Sequence, residues 1–257
     1  MTFTIRQLAS SVNSFKLSGN NVIWRGYEGG DYEIYLYNGS SNIQLSNNNF
    51  NDYYPQIYGN NVVWTGYNRN DWEIYLYDGS ETIQLTDNNT SEYNLQISGN
   101  NLVWQSNDGS DYEIYLYNGS ETTQLTDNNY NDSYLYSSGN NIVWTGYDGI
   151  NRQIYLYDGS QTIQVTDNIF NQEYIFDKEY PGISGNNVVW VGYDGSYYQI
   201  YLYNGSSTIQ LTDSSYFSGF FNPIEQISGN NVIWQEYDGN DTEIYLYNGS
   251  STIQLTD

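Results

Sequence analysis

The chain has 257 residues, 30 acidic against 6 basic side chains, a net charge of −24, and neither Cys nor His. The two missing residue types exclude disulfides, thiol nucleophiles, Cys- or His-ligated metal centres and any triad built on imidazole. Phosphate backbones need clustered cations, and Arg6, Lys16, Arg25, Arg69, Arg152 and Lys178 are few and scattered, so neither nucleic acid nor an anionic membrane is an expected partner. No apolar run approaches the roughly 20 residues of a membrane-spanning helix, and MTFTIRQLAS lacks the regions of a signal peptide. What stays open is carboxylate-pair glycoside hydrolysis, Tyr or Lys chemistry, oxygen-ligand metal sites, or binding without catalysis. The acidic excess itself favours solubility, cationic partners or divalent metals.

In chain order, residues 2–10 read as an outer strand that no local repeat claims. A repeated text then begins, seen clearly as GNNVVWTGYNRNDWEIYLYDGSETIQLTD from Gly59. Its tryptophan recurs as Trp24, Trp64, Trp104, Trp144, Trp190 and Trp234, at intervals of 40, 40, 40, 46 and 44 residues. A period of this size signals a repeat architecture. The repeats run over residues 15–46, 55–86, 95–126, 135–166, 180–212 and 225–257, and together they are expected to form one domain over residues 1–257.

Each repeat reads as four short strands. The first is brief (residues 55–58, 95–98 and 225–228) and ends at Gly-Asn-Asn, whose residue types tolerate positive φ in a tight hairpin turn. The second, residues 62–67, is apolar on successive positions and is therefore covered on both faces. An Asp/Asn/Gly loop follows. The third strand sends Ile74 and Leu76 to one face and Tyr75 and Tyr77 to the other. An Asp-Gly or Asn-Gly turn leads to the fourth, residues 82–86, whose alternation suits an exposed edge. With 31 Tyr, 8 Phe and 7 Trp in the chain, the core is aromatic-rich. The fold class is all-β: a six-bladed β-propeller with four antiparallel strands per blade. The six repeat tryptophans, sharing one register, are inter-blade core. The Asn-Gly-Ser runs match glycosylation sequons but recur where a turn is required, so they are turn chemistry.

The pattern ISGNNVVW…DGxDYEIYLYNG…TIQLTD resembles the TolB-type, WD40-like β-propeller repeats of bacterial surface and periplasmic proteins, and in particular the highly repetitive propellers of cyanobacteria. The resemblance covers six repeats, from about residue 15 to 257. It implies blades that serve as binding or scaffold modules and a secreted or cell-surface location, and it implies no activity. The WD dipeptide is absent.

In a four-stranded meander the loop between strands two and three shares an end with the connection to the next blade. That end gathers the acidic loops, the variable connections and aromatics beyond the repeat core. Tyr53, Tyr54, Tyr93, Tyr134, Tyr174, Phe176, Phe217 and Phe220 are the candidate ligand-binding residues, expected on these connections. Rings pack on apolar sugar faces while carboxylates and amides bind hydroxyls. The expected ligand is a glycan or a protein segment, and the alternative is a repeat-amplified scaffold with no dedicated ligand. Residues 87–89, 127–132 and 167–168 have the composition of calcium loops but not the spacing, so they read as Asx turns and no metal is assigned. Glycosidases need two carboxylates at a defined separation, and sialidase-like propellers need clustered arginines. Arg25, Arg69 and Arg152 fall in blades one, two and four. No catalytic residue and no cofactor is assigned. The connections at residues 167–181 and 213–223 are long and mark the interaction end. Residues 252–257 take the regular outer position, so residues 2–10 either lie against them as an added edge or pair with another copy. The chain is a monomer or an edge-strand homodimer.

Overall fold

The computed structural model describes residues 7–9, 12–167, 180–213 and 226–256, and every regular element among them is a β-strand. Six four-stranded antiparallel sheets follow one another, each a meander in chain order. The first holds β1 (Val12–Ser18), β2 (Asn21–Glu28), β3 (Asp31–Tyr37) and β4 (Asn42–Gln44). The second holds β5 (Asp52–Tyr58), β6 (Asn61–Tyr67), β7 (Trp72–Tyr77) and β8 (Thr82–Gln84). The third runs from β9 (Glu92–Ser98) through β10 (Asn101–Asn107) and β11 (Tyr112–Tyr117) to β12 (Thr122–Gln124), and the fourth from β13 (Ser133–Ser138) through β14 (Asn141–Tyr147) and β15 (Arg152–Tyr157) to β16 (Thr162–Gln164). The fifth and sixth span β17 (Gly182–Ser184) to β20 (Thr208–Gln210) and β21 (Ile227–Ser228) to β24 (Thr252–Gln254). This is the six-bladed β-propeller class that the repeats predict. The sheets fall into two compact units of three, Met1–Asp127 and Asn128–Asp257.

The sheets of each unit are joined by sharing out the two faces of the second and third strands. In β6, Val62 and Trp64 pack back on Ile23, Ile34 and Leu36 of the first sheet. The next side chain along, Val63, faces the other way with Ile74 and Leu76, onto Leu95, Leu102 and Trp104. Tyr75 and Tyr77 join the first of these interfaces. Alternation therefore persists, but both faces are apolar, and the sequence reads as one continuous hydrophobic run. The second unit repeats the arrangement: Trp190 packs on Val143, Ile154 and Leu156, and Trp234 on Val189, Ile200 and Leu202. Each tryptophan also stacks on the tyrosine opposite it, as Trp64 does on Tyr75 at 5.9 Å between centroids.

The Gly-Asn-Asn turn does more than reverse the chain. Gly59 sits at φ +60, where a side chain would be strained. Its N–H donates to Ser18 Oγ at 2.9 Å, and Asn21 Nδ2 donates to its carbonyl at 2.8 Å and to Asn60 Oδ1 at 3.1 Å. The same clamp joins Ser138 and Asn141 to Gly185 and Asn186, and Ser184 and Asn187 to Gly229 and Asn230. At the Asn-Gly-Ser turns the leading side chain caps the loop: Asn38 Oδ1 accepts from Ser40 N, Ser40 Oγ and Ser41 N at 3.0, 2.8 and 3.0 Å. That is turn chemistry, as the recurrence indicates.

Two strand boundaries differ from the sequence reading. The fourth strand is three residues, not five, because its pairing passes to a side chain. Leu85 N still donates to Ile74 O at 2.7 Å, but the next bond runs from Ile74 N to Thr86 Oγ1 at 2.8 Å. The first strand starts earlier than expected in sheets two to four, at Asp52, Glu92 and Ser133, instead of at residues 55, 95 and 135. Register shifts between Tyr53 and Gln56 and between Ser133 and Tyr136 mark a bulge in β5 and β13, with Tyr54, Asn94 and Tyr134 at φ 53, 52 and 55. A bulge admits residues that break alternation, so Tyr-Tyr-Pro and its counterparts read as loop. Of the segment 2–10, residues 7–9 are described; Leu8 O accepts from Asn42 Nδ2 at 3.0 Å beside β4. The long connections at 167–181 and 213–223 lie mostly outside the described residues.

Candidate functional site

The bulges decide where the candidate tyrosines point. Tyr53, Tyr54, Tyr93 and Tyr134 belong to first strands and not to the inter-blade connections, which corrects their expected placement. Left-handed backbone at Tyr54 turns its ring outward, leaving it 71% exposed. Such a conformation is costly for a bulky residue. In the first unit, Tyr53, Tyr54 and Tyr93 line one cavity of about 460 Å³ together with Trp72, Asn94 and Gln56. Tyr134 belongs to the second unit, where it meets Tyr180 edge-on at 4.4 Å. Tyr174, Phe176, Phe217 and Phe220 lie outside the described residues.

The cavity walls are rings held by other rings. Tyr53 packs against Trp72 at 5.3 Å and Tyr32 at 5.7 Å, and Trp72 in turn against Tyr67 at 5.3 Å. The Arg25 guanidinium lies 4.5 Å from the Tyr32 centroid and 4.6 Å from that of Tyr53. Arg69 sits over Phe50 and Arg152 over Tyr134, at 5.4 and 5.8 Å. The three arginines thus stabilise aromatic positions through cation–π contact. No local sequence pattern announces these contacts, since Arg25 of β2 reaches Tyr53 of β5 in the next sheet and Arg69 meets Phe50 ahead of β5. Trp72, the tryptophan outside the repeat register, is the other residue sequence reasoning missed. It takes the position held by Tyr32 and Tyr112 in neighbouring repeats.

Beneath the rings lie buried carboxylates. Glu92 lines the cavity and is almost wholly buried. Asn88 Nδ2 donates to its Oε1 at 2.7 Å, as Asn48 Nδ2 does to Asp52 Oδ2 at 2.9 Å. Burial pushes Asp52 up to about 7, and burial with the neighbouring Glu73 charge pushes Glu92 up to about 7. Asp52 faces Glu33 as Glu92 faces Glu73, so a proton resides in each pair over much of the range below neutrality. The loops once compared with calcium sites are occupied by their own backbone: Asn88 Oδ1 accepts from Thr90 N at 2.6 Å, and Asn128 Oδ1 from Tyr130 N at 2.8 Å. Among the described residues two acidic groups converge closely enough to hold an ion, Asp108 with Asp111 and Glu113, and Asp238 with Asp241 and Glu243.

Fold and site together define a β-propeller with an aromatic cavity at the bulged end of its first strands. Solved structures similar to the chain include acylaminoacyl peptidase from Pyrococcus horikoshii, with a TM-score of 0.51, 14% identity, and 97% of this chain and 45% of that one covered. The computationally designed Ika8 protein gives 0.52, 15%, 96% and 71%. TolB from Acinetobacter baumannii gives 0.41, 18%, 88% and 60%. Identities this low show the fold alone. The chain spans less than half the length of the peptidase. No protein-family model and no curated protein matches it.

Proposed function

We propose that this chain is a non-enzymatic carbohydrate-binding module whose ligand lies in the cavity of the first unit. The observation that carries the reading is the lining itself: Tyr53, Tyr54, Trp72 and Tyr93 beside the amides of Gln56, Asn94 and Gln96. Flat apolar sugar faces stack on such rings while hydroxyls take directional hydrogen bonds from amides. The rings are fixed by one another and by Arg25, so little side-chain freedom is lost on binding. Glu92 is the cavity's carboxylate, and its role is structural, since it is buried and already accepts from Asn88 and Ser106. A glycan array on the wild-type chain tests the proposal. Competable binding that disappears in Trp72→Ala, with the fold intact by circular dichroism, supports it. Silence across sugars with an intact fold favours the bare scaffold, and binding confined to a peptide array assigns the cavity to a protein segment.

A further inference from the structure

The loop between the second and third strands closes in the same way in sheets two to six, with one residue at positive φ and a backbone bond from position one to position four. In the first sheet it closes as a Gly29-Gly30 turn, and its charge varies throughout. Its positions one, four and six read Glu28-Asp31-Glu33, Asn68-Asp71-Glu73, Asp108-Asp111-Glu113, Asp148-Asn151-Gln153, Asp194-Tyr197-Gln199 and Asp238-Asp241-Glu243. In four of the six a neutral donor serves one carboxylate, although in loop two Asp71 Oδ1 stays buried without a partner. Gln153 Nε2 donates to Asp148 Oδ2 at 2.8 Å, and Gln199 Nε2 to Asp194 Oδ2 at 3.1 Å. Asn68 Nδ2 donates to Glu73 Oε1 at 3.2 Å, and the Tyr35 hydroxyl donates to Glu28. Loops three and six carry three carboxylates and no amide.

In loop three, Asp108, Asp111 and Glu113 each bring an oxygen within 4.8 Å of the others. Asp108 Oδ1 accepts from Ser110 N at 2.8 Å and Asp111 N at 3.3 Å, which fixes its carboxylate in the loop. Asp111 is 7% exposed, and neither of its oxygens has a hydrogen-bond partner. A buried carboxylate without donors is costly. Asp108 is exposed and gives the cluster an opening to solvent.

We propose that Asp108, Asp111 and Glu113 bind a calcium ion that takes the place filled by the amide of Gln153 and Gln199 in the neighbouring loops. Calcium takes six to eight oxygens at flexible geometry, so three carboxylates supply part of the shell and water entering past Asp108 the rest. An all-oxygen donor set suits a hard cation and disfavours zinc or copper. Loop six shares the pattern, but Asp241 is exposed to solvent, where a carboxylate needs no ion to offset burial, so its affinity is lower.

The test is calorimetric titration of the EDTA-treated full chain with calcium chloride at pH 7, together with terbium luminescence sensitised through the nearby Trp104–Tyr115 stack. One equivalent should bind with a Kd between about 10 µM and 1 mM. Asp111→Asn should weaken it by about tenfold or more. Glu113→Gln recreates the Gln153 arrangement, so it should fold without calcium and lose the site, whereas Asp241→Asn should leave it intact. No calcium-dependent heat up to about 5 mM in the wild type, or unchanged affinity in both loop-three variants, overturns the proposal.

Discussion

Replacing Glu92 by Gln should stabilise the protein at alkaline pH and leave it nearly unchanged in acid. Glu92 Oε1 accepts from Asn88 Nδ2 at 2.7 Å and from Ser106 Oγ at 3.2 Å, while Glu73 Oε1 accepts from Asn88 N at 3.0 Å. The Oε2 atoms of Glu73 and Glu92 are both buried with no donor. A proton shared between them satisfies both, and burial reinforced by the Glu73 charge accordingly raises Glu92 from 4.5 to about 7. A folded pKa above the unfolded value means that the contribution to stability is complete below about 4.5 and is lost as pH rises through about 7. Each unit corresponds to about 1.4 kcal/mol, so the loss by pH 8.5 is on the order of 3 kcal/mol, against under about 1 kcal/mol at pH 5. In Glu92→Gln the amide oxygen keeps the Asn88 and Ser106 bonds, and its NH₂ can donate to Glu73 Oε2 at any pH. Urea unfolding followed by Trp fluorescence at both pH values measures the difference. A variant destabilised equally at pH 5 and pH 8.5 would refute the shared proton and show that only the geometry of the carboxylate matters.

Trp64→Ala should cost about 3–5 kcal/mol, since the ring is 1% exposed, stacks on Tyr75 and fills the interface with Ile23, Ile34 and Leu36; an unchanged urea midpoint would contradict the packing. Trp144→Ala, at 1% exposure and stacked on Tyr155 at 5.8 Å, should behave alike. Tyr54→Gly relieves a left-handed φ of 53 at an exposed position, so stability should stay within about 1 kcal/mol of wild type or rise. The same change should weaken any sugar found on the array, and undiminished binding would move the ligand out of this cavity.

The sequence by itself determined the repeat, the strand order and the tryptophan core, because each follows from local rules. Gly at positive φ forces the hairpins, and continuous apolar runs such as Val62 to Trp64 belong only to strands covered on both sides. It also put the inter-blade connections and the second loop at one end, since antiparallel strands leave no alternative. The tertiary structure alone decided what stands at that end. The bulge between Tyr53 and Gln56 depends on pairing with β6, and no local pattern announces which residue of Tyr-Tyr-Pro will turn left-handed. The cavity joins Tyr53 and Trp72 of the second sheet to Tyr93 of the third, positions whose proximity depends on how one blade stacks on the next. The charges divide in the same way. The excess of 30 acids over 6 bases is visible in the composition, yet a carboxylate's pKa is set by burial and by its neighbours. Glu92 is raised because stacking blades brings it against Glu73 beneath Asn88, a meeting of residues 19 apart that only packing produces.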